Sequence, residues 1–145
     1  MESPEDEIMK NLKKLNLAIE SYANERMADK GLTSAQGHVL MYILEHRDIC
    51  STHIHNELGI SRGTVSGLLK KLRDKGYIQL SRCVKDDRQK IIQVTDKARV
   101  LKEALDECRE TLEMQVFCGL THEEKQTLLD LQRRMLRNMG RAAQP

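Results

Sequence analysis

With 145 residues, 39% of them apolar, the chain can bury one ordinary core, so a single domain over residues 1–145 is expected. Charged residues make up 32% while Phe, Trp and Tyr make up 3%, a balance suited to long amphipathic helices and poor for an all-β sandwich. Four scattered cysteines, Cys50, Cys83, Cys108 and Cys118, form no C-x-x-C pair, and Met1 is followed by Glu2, Asp6 and Glu7 instead of a basic, then apolar, leader; these features point to reduced thiols in a cytoplasmic protein without a membrane span.

From about Glu5 to Lys30, Ile8, Leu12, Leu15, Ile19 and Tyr22 recur at alternating four- and three-residue steps, the seam of a long amphipathic helix that Gly31 ends. Leu32 to Gln36 opens a second helix, with Thr33 and Gln36 at capping-box spacing and Val39, Leu40, Ile43 and Leu44 as its buried face. A short helix follows from Ser51, with Ile54 and Leu58 inward and Gly59 as its breaker. Ser61 then caps a helix whose apolar residues Val65, Leu68, Leu69 and Leu72 form one stripe, and Gly76 stops it. Two short helices joined through Leu58-Gly59-Ile60-Ser61 make a helix-turn-helix pattern.

Advancing about 100° per residue from Val65, the face opposite the stripe carries Gly63, Gly67, Lys70 and Asp74. Arg62, Ser66 and Arg73 flank that face on one side, Thr64 and Lys71 on the other. A helix that is apolar inward and small, hydroxylated and cationic outward has the chemistry of a helix meant for the major groove of DNA.

After Gly76 the pattern alternates through Tyr77, Ile78, Leu80 and Arg82-Cys83-Val84, then again through Ile91, Ile92 and Val94, which predicts two strands. Between them Lys85-Asp86-Asp87-Arg88-Gln89-Lys90 has no apolar residue and reads as an exposed, basic hairpin tip, a wing. The helical period returns from Thr95 with Ala98, Leu101, Leu105, Cys108 and Leu112, up to Gly119. Thr121 to Glu124 forms another capping box, ahead of Leu128, Leu131, Met135 and Met139 on a last helix. The fold class is therefore mainly α (α+β): a winged helix-turn-helix over 32–95 between long helices within 5–31 and 96–141. Neither terminal stripe has an obvious partner in so small a middle. Pairing of two copies through Ile8, Leu12, Leu15 and Ile19 and through Leu128, Leu131, Met135 and Met139 would bury both, the alternative being that each helix folds back on its own chain.

Net charge is only +2, but it is unevenly placed. Between Ser61 and Lys90 nine Lys or Arg stand against three acids, so one basic segment sits in a mildly acidic remainder.

The stretches LTSAQGHVL, IHNELGISRGTVSGLLKKLRDKGYI and DDRQKIIQVTDKA, in this order and spacing, resemble the MarR family of winged helix-turn-helix transcription regulators, over nearly the whole chain. The resemblance implies a homodimer with intertwined N- and C-terminal helices, its two winged domains straddling a roughly palindromic operator in double-stranded DNA. It implies a recognition helix contacting DNA through Ser61, Arg62, Gly63, Thr64, Ser66, Gly67, Lys70 and Lys71. The wing would add Arg82, Lys85, Asp86, Asp87, Arg88 and Lys90, with Arg88, oriented by Asp86 or Asp87, entering the minor groove. It further implies a repressor relieved by a small apolar or phenolic effector held between the dimerisation helices and the winged domain. Gly67 stands where many relatives carry Arg, Ala98 replaces a usual Gly, and His55 replaces a usual small residue. With Gly63 and Gly67 bare, the backbone could approach the groove closely, which raises the share of shape readout.

His53 and His55, near His38, His46 and Cys50, lie two apart and so point about 200° from one another on a helix, which speaks against a shared metal ion; no metal or cofactor is expected. No Gly-rich phosphate loop, nucleophile elbow or H-E-x-x-H is present, so no enzyme is expected. A thiol-based redox-sensing regulator is one alternative, with Cys83 between Arg82 and Lys85 the candidate thiol and Cys108 read as core. A winged-helix protein-interaction module is another; the acidic pair before Arg88 and the basic segment argue for DNA instead.

Overall fold

The computed structural model describes residues 1–82 and 90–141. Among the described residues, six α-helices and two strands follow in order: α1 (Pro4–Met27), continued by a 3-10 turn (Ala28–Lys30), α2 (Ser34–Glu45), α3 (Ser51–Leu58), α4 (Arg62–Asp74), β1 (Ile78–Arg82), β2 (Lys90–Val94), α5 (Asp96–Phe117) and α6 (His122–Asn138). The chain divides into two compact units, Met1–Leu112 and Glu113–Pro145.

The helix boundaries follow from local chemistry. Ser3 Oγ accepts from the Asp6 N–H at 3.1 Å ahead of Pro4, and Thr33 and Gln36 close the expected reciprocal box at 3.2 Å in both directions. Each such cap satisfies backbone donors that the first helical turn leaves unpaired. Gly59 ends α3 at φ 65 and Gly76 follows α4 at φ 82, left-handed conformations that glycine adopts without steric cost.

In the first unit, α2, α3 and α4 enclose the core. Val39, Leu40, Ile54, Val65 and Leu72 are sealed from solvent, joined by Ile78, Ile92, Ala98 and Leu105. Full burial of each such aliphatic side chain contributes about 1.5–3 kcal/mol, so the predicted inward stripe of α4 is what seats that helix. β1 and β2 pair antiparallel with Leu80 opposite Ile92 and Arg82 opposite Lys90. On the other side of β2, the Ile92 N–H donates to the Ile49 carbonyl at 3.1 Å and Cys50 bridges Ile91, which ties the strands to the start of α3. Tyr77, expected in the first strand, precedes it and is buried.

α1 and α6 carry the expected apolar stripes and leave much of them open, whereas α5 buries Ala98 and Leu105 of its own stripe in the core. On α1, Ile8, Leu12 and Leu15 are 51%, 42% and 54% exposed; Ile19 and Tyr22, nearer the core, are half-buried. In the second unit, α6 opens on the predicted box, the Thr121 N–H donating to Glu124 Oε1 at 2.9 Å and the Glu124 N–H to Thr121 Oγ1 at 3.1 Å. Its residues Leu128, Leu131 and Met135, with Met139 just after, are all exposed. Cys108 is a departure from expectation: it packs against the edge of the core but is only half-buried, because it faces the gap between α5 and the end of α1.

Candidate nucleic-acid interface

α3, the turn through Gly59 and α4 form the helix-turn-helix. Ser61 stands at the N-cap of α4 in extended conformation; its Oγ accepts from the Thr64 N–H at 3.3 Å and donates to Thr64 Oγ1 at 2.8 Å. Two of the candidate contact residues therefore already serve the helix start. Arg62, Gly63, Thr64, Ser66, Gly67, Lys70 and Lys71 are exposed together, while Val65, Leu68, Leu69 and Leu72 on the same helix are buried. The sequence-derived face is one continuous surface. A β carbon built on Gly63 or Gly67 would meet nothing within 4 Å, so that surface is bare along its middle. Beside it, Arg62 Nη1 donates to Thr52 Oγ1 on α3 at 3.4 Å, and Arg73 pairs with Asp74 at 3.4 Å in solvent.

Arg82 and Lys90 are opposed across the ladder at the open end of β1 and β2. Lys85, Asp86, Asp87 and Arg88, with Cys83, lie outside the described residues, and the wing contacts expected of them rest on the sequence.

The histidines near the site are engaged locally. His53 Nδ1 accepts from the Cys50 N–H at 3.2 Å and lies 3.6 Å from Cys50 Sγ, while His55 Nδ1 is 2.5 Å from the Ile60 carbonyl in the turn. His55, where the resemblance anticipates a small residue, thus braces the turn.

A cleft of about 490 Å³ separates the end of α1 from α5, lined by Arg26, Asp29 and Lys30 on one side and Glu107, Cys108 and Thr111 on the other. The Asp29 carboxylate 3.1 Å from Lys30 Nζ holds the Lys30 ammonium above its ordinary value, with Cys108 adding to the effect. The lining is largely polar and charged.

Residues that the sequence did not single out surround the far end of α4. Lys75, Tyr77 and Lys97 make polar contacts there across long sequence separations. The one available signal was a cation just ahead of Gly76, a favourable place at a helix C-terminus.

A sequence model described as MarR family matches residues 30–89. The chain is 34% identical over 104 residues to the HTH-type transcriptional regulator TtmR of Methylorubrum extorquens, a match covering 72% of this chain and 52% of that protein; the chain spans about half the length of this relative. Among solved structures, a MarR protein from Peptoclostridium difficile superposes with a TM-score of 0.87 at 24% identity, covering 96% of this chain and 91% of that one. A putative MarR family transcriptional regulator from Listeria monocytogenes, complexed with a 26mer DNA, gives 0.84 at 22% identity over 96% and 90% of the two chains. The ordered motifs, the helix-turn-helix with its two-stranded wing base and these matches agree on a MarR-family winged helix, the family's sequence model itself matching residues 30–89.

Proposed function

We propose that the protein is a sequence-specific DNA-binding transcription regulator that acts as a homodimer. The observation that carries this reading is the exposed face of α4, where Arg62, Lys70 and Lys71 flank a bare strip on the second helix of a helix-turn-helix. Such a helix fits the major groove, with cations toward the phosphate walls and short polar groups toward base edges. The DNA complex of the Listeria protein, similar in fold over nearly all of both chains, supports it. Lys85, Arg88 and Lys90 on the wing would add minor-groove and phosphate contacts, with Asp86 and Asp87 orienting the Arg88 fork. The open apolar stripes of α1 and α6 support pairing of two copies, which places two α4 helices on a roughly palindromic operator. The finer reading is a repressor relieved by a small apolar or phenolic molecule; the cleft between the end of α1 and α5 is its supporting observation.

Selection of duplexes from a random pool tests the reading. Recovery of an inverted repeat, with half-sites one or more helical turns apart, is expected. A pool that stays random while the protein remains folded overturns it.

A further inference from the structure

The last turn of α4 is held by a polar joint at which four chain segments meet. Lys75, the C-cap of α4, directs its ammonium to the Gly31 carbonyl, just after α1 and its 3-10 turn, and to Gln36 Oε1 in the first turn of α2 at 2.8 Å. Gln36 is only 3% exposed, and the same Oε1 accepts the Thr33 N–H at 3.2 Å. One buried oxygen thus closes the cap of α2 and ties that helix to α4. From the other side, Lys97 in the first turn of α5 donates to the Lys75 carbonyl at 2.6 Å and lies 4.7 Å from the Tyr77 ring. The Tyr77 hydroxyl donates to the Lys30 carbonyl at 3.5 Å, and Thr95 Oγ1 donates to the Gly76 carbonyl at 2.7 Å.

Elsewhere α4 meets the core through the apolar side chains Val65, Leu68, Leu69 and Leu72, and near its start the exposed Arg62 Nη1 makes one long hydrogen bond to Thr52 Oγ1 at 3.4 Å. Apolar packing is non-directional and tolerates small tilts, whereas hydrogen bonds weaken steeply when misaligned. The shorter and part-buried directional contacts of α4 thus lie at its C-terminal end, while Arg62 and Ser66 lie toward its N-terminal end. At about 1.5 Å rise per residue, a tilt of about 5° about Lys75 displaces Arg62 by about 1.7 Å, enough to break a base contact. The partners at the joint belong to α2, to α5 and to the turn that ends α1.

We infer that Lys75 is a positioning residue for base reading: through Gln36 and the Gly31 carbonyl it fixes the angle of α4 relative to α2 and the turn that ends α1. This rests on the DNA-binding reading above.

The test compares Lys75→Met, which keeps the stem and removes the donors, with Lys75→Arg, which keeps charge and donors, on the selected operator and on random duplex over a salt series. For Lys75→Met, the ratio of operator to random affinity should fall about tenfold, the worth of one bidentate base contact. Random-duplex affinity and salt slope should stay those of the wild type, and Lys75→Arg should restore most of the ratio. Gln36→Met should give the same loss, with none added when combined with Lys75→Met. If Lys75 served only stability, or met only phosphate, Lys75→Met would weaken both DNAs alike and leave the ratio unchanged, which overturns the inference while the DNA reading stands. A folded wild type that selects no duplex overturns both.

Discussion

Arg62 Nη1 lies 3.4 Å from Thr52 Oγ1, so the first residue of α4 is held across the turn by the first helix of the motif. One of five guanidinium donors is used this way, and the others remain for a base edge. Arg62→Ala should relax base preference by about 1–3 kcal/mol at one position per half-site. Lys71 is exposed; if it meets only phosphate, Lys71→Ala should weaken all sequences alike and make the salt slope shallower. Affinities for every single-base operator variant, measured at several salt concentrations, check both; equal losses on specific and random DNA for Arg62→Ala would reassign it to phosphate.

Gly37 is kept small by the fold, since a β carbon there would stand 2.9 Å from Met27 Sδ, but Gly63 and Gly67 meet nothing within 4 Å and lie in regular helix. Alanine at either should stabilise α4 by about 0.5–1 kcal/mol. If the bare strip lets duplex DNA approach the backbone, each substitution should raise the melting temperature and weaken operator binding at once. Thermal melts beside binding curves read both signs; a variant that is more stable and binds as well as wild type refutes close approach.

Replacing Leu12 and Leu15 together by Asp places charges on a stripe that is open in the single chain. The expected product is a monomeric or poorly folded species without operator affinity, while the wild type scatters light as a dimer. A wild-type monomer at micromolar concentration that binds operator normally would contradict the pairing.

On the wing, two acids directly before Arg88 would repel phosphate unless they orient its fork, and a fork held in place loses less side-chain entropy on insertion. Both Arg88→Ala and Arg88→Lys should therefore weaken operator binding markedly. Equal binding by Arg88→Lys and wild type would leave the wing only diffuse positive charge.

The Glu124 carboxyl is held below its ordinary value by hydrogen bonds from the Thr121 backbone N–H and hydroxyl. Because the folded value is the depressed one, the cap contributes fully above the ordinary carboxylate value and is lost as pH falls through the depressed value. Carboxyl titration followed by NMR should place Glu124 below the exposed glutamates of the chain, and Thr121→Ala should return it toward them.

The helices, the caps at Thr33, Ser61 and Thr121 and the outward face of α4 were legible in the residues alone, because periodicity and capping are local: Thr33 with Gln36, or Val65 with Leu69, lie within about one turn of each other whatever the rest of the chain does; the box of Ser3 with Asp6 ahead of Pro4 was not singled out. The basic segment and the order of helix, turn, helix and strands followed for the same reason. The joint at Lys75 was not legible. In the sequence Lys75 is one cation among nine in its segment and Gln36 is only a cap, yet 39 residues apart they share a hydrogen bond. The half-burial of Cys108 and the polar cleft beside Lys30 were equally hidden. Such contacts depend on how α1, α2, α4 and α5 are placed around the shared core, and that placement comes from the summed packing of Leu40, Ile54, Leu72 and Leu105, to which no single stretch of sequence holds the key.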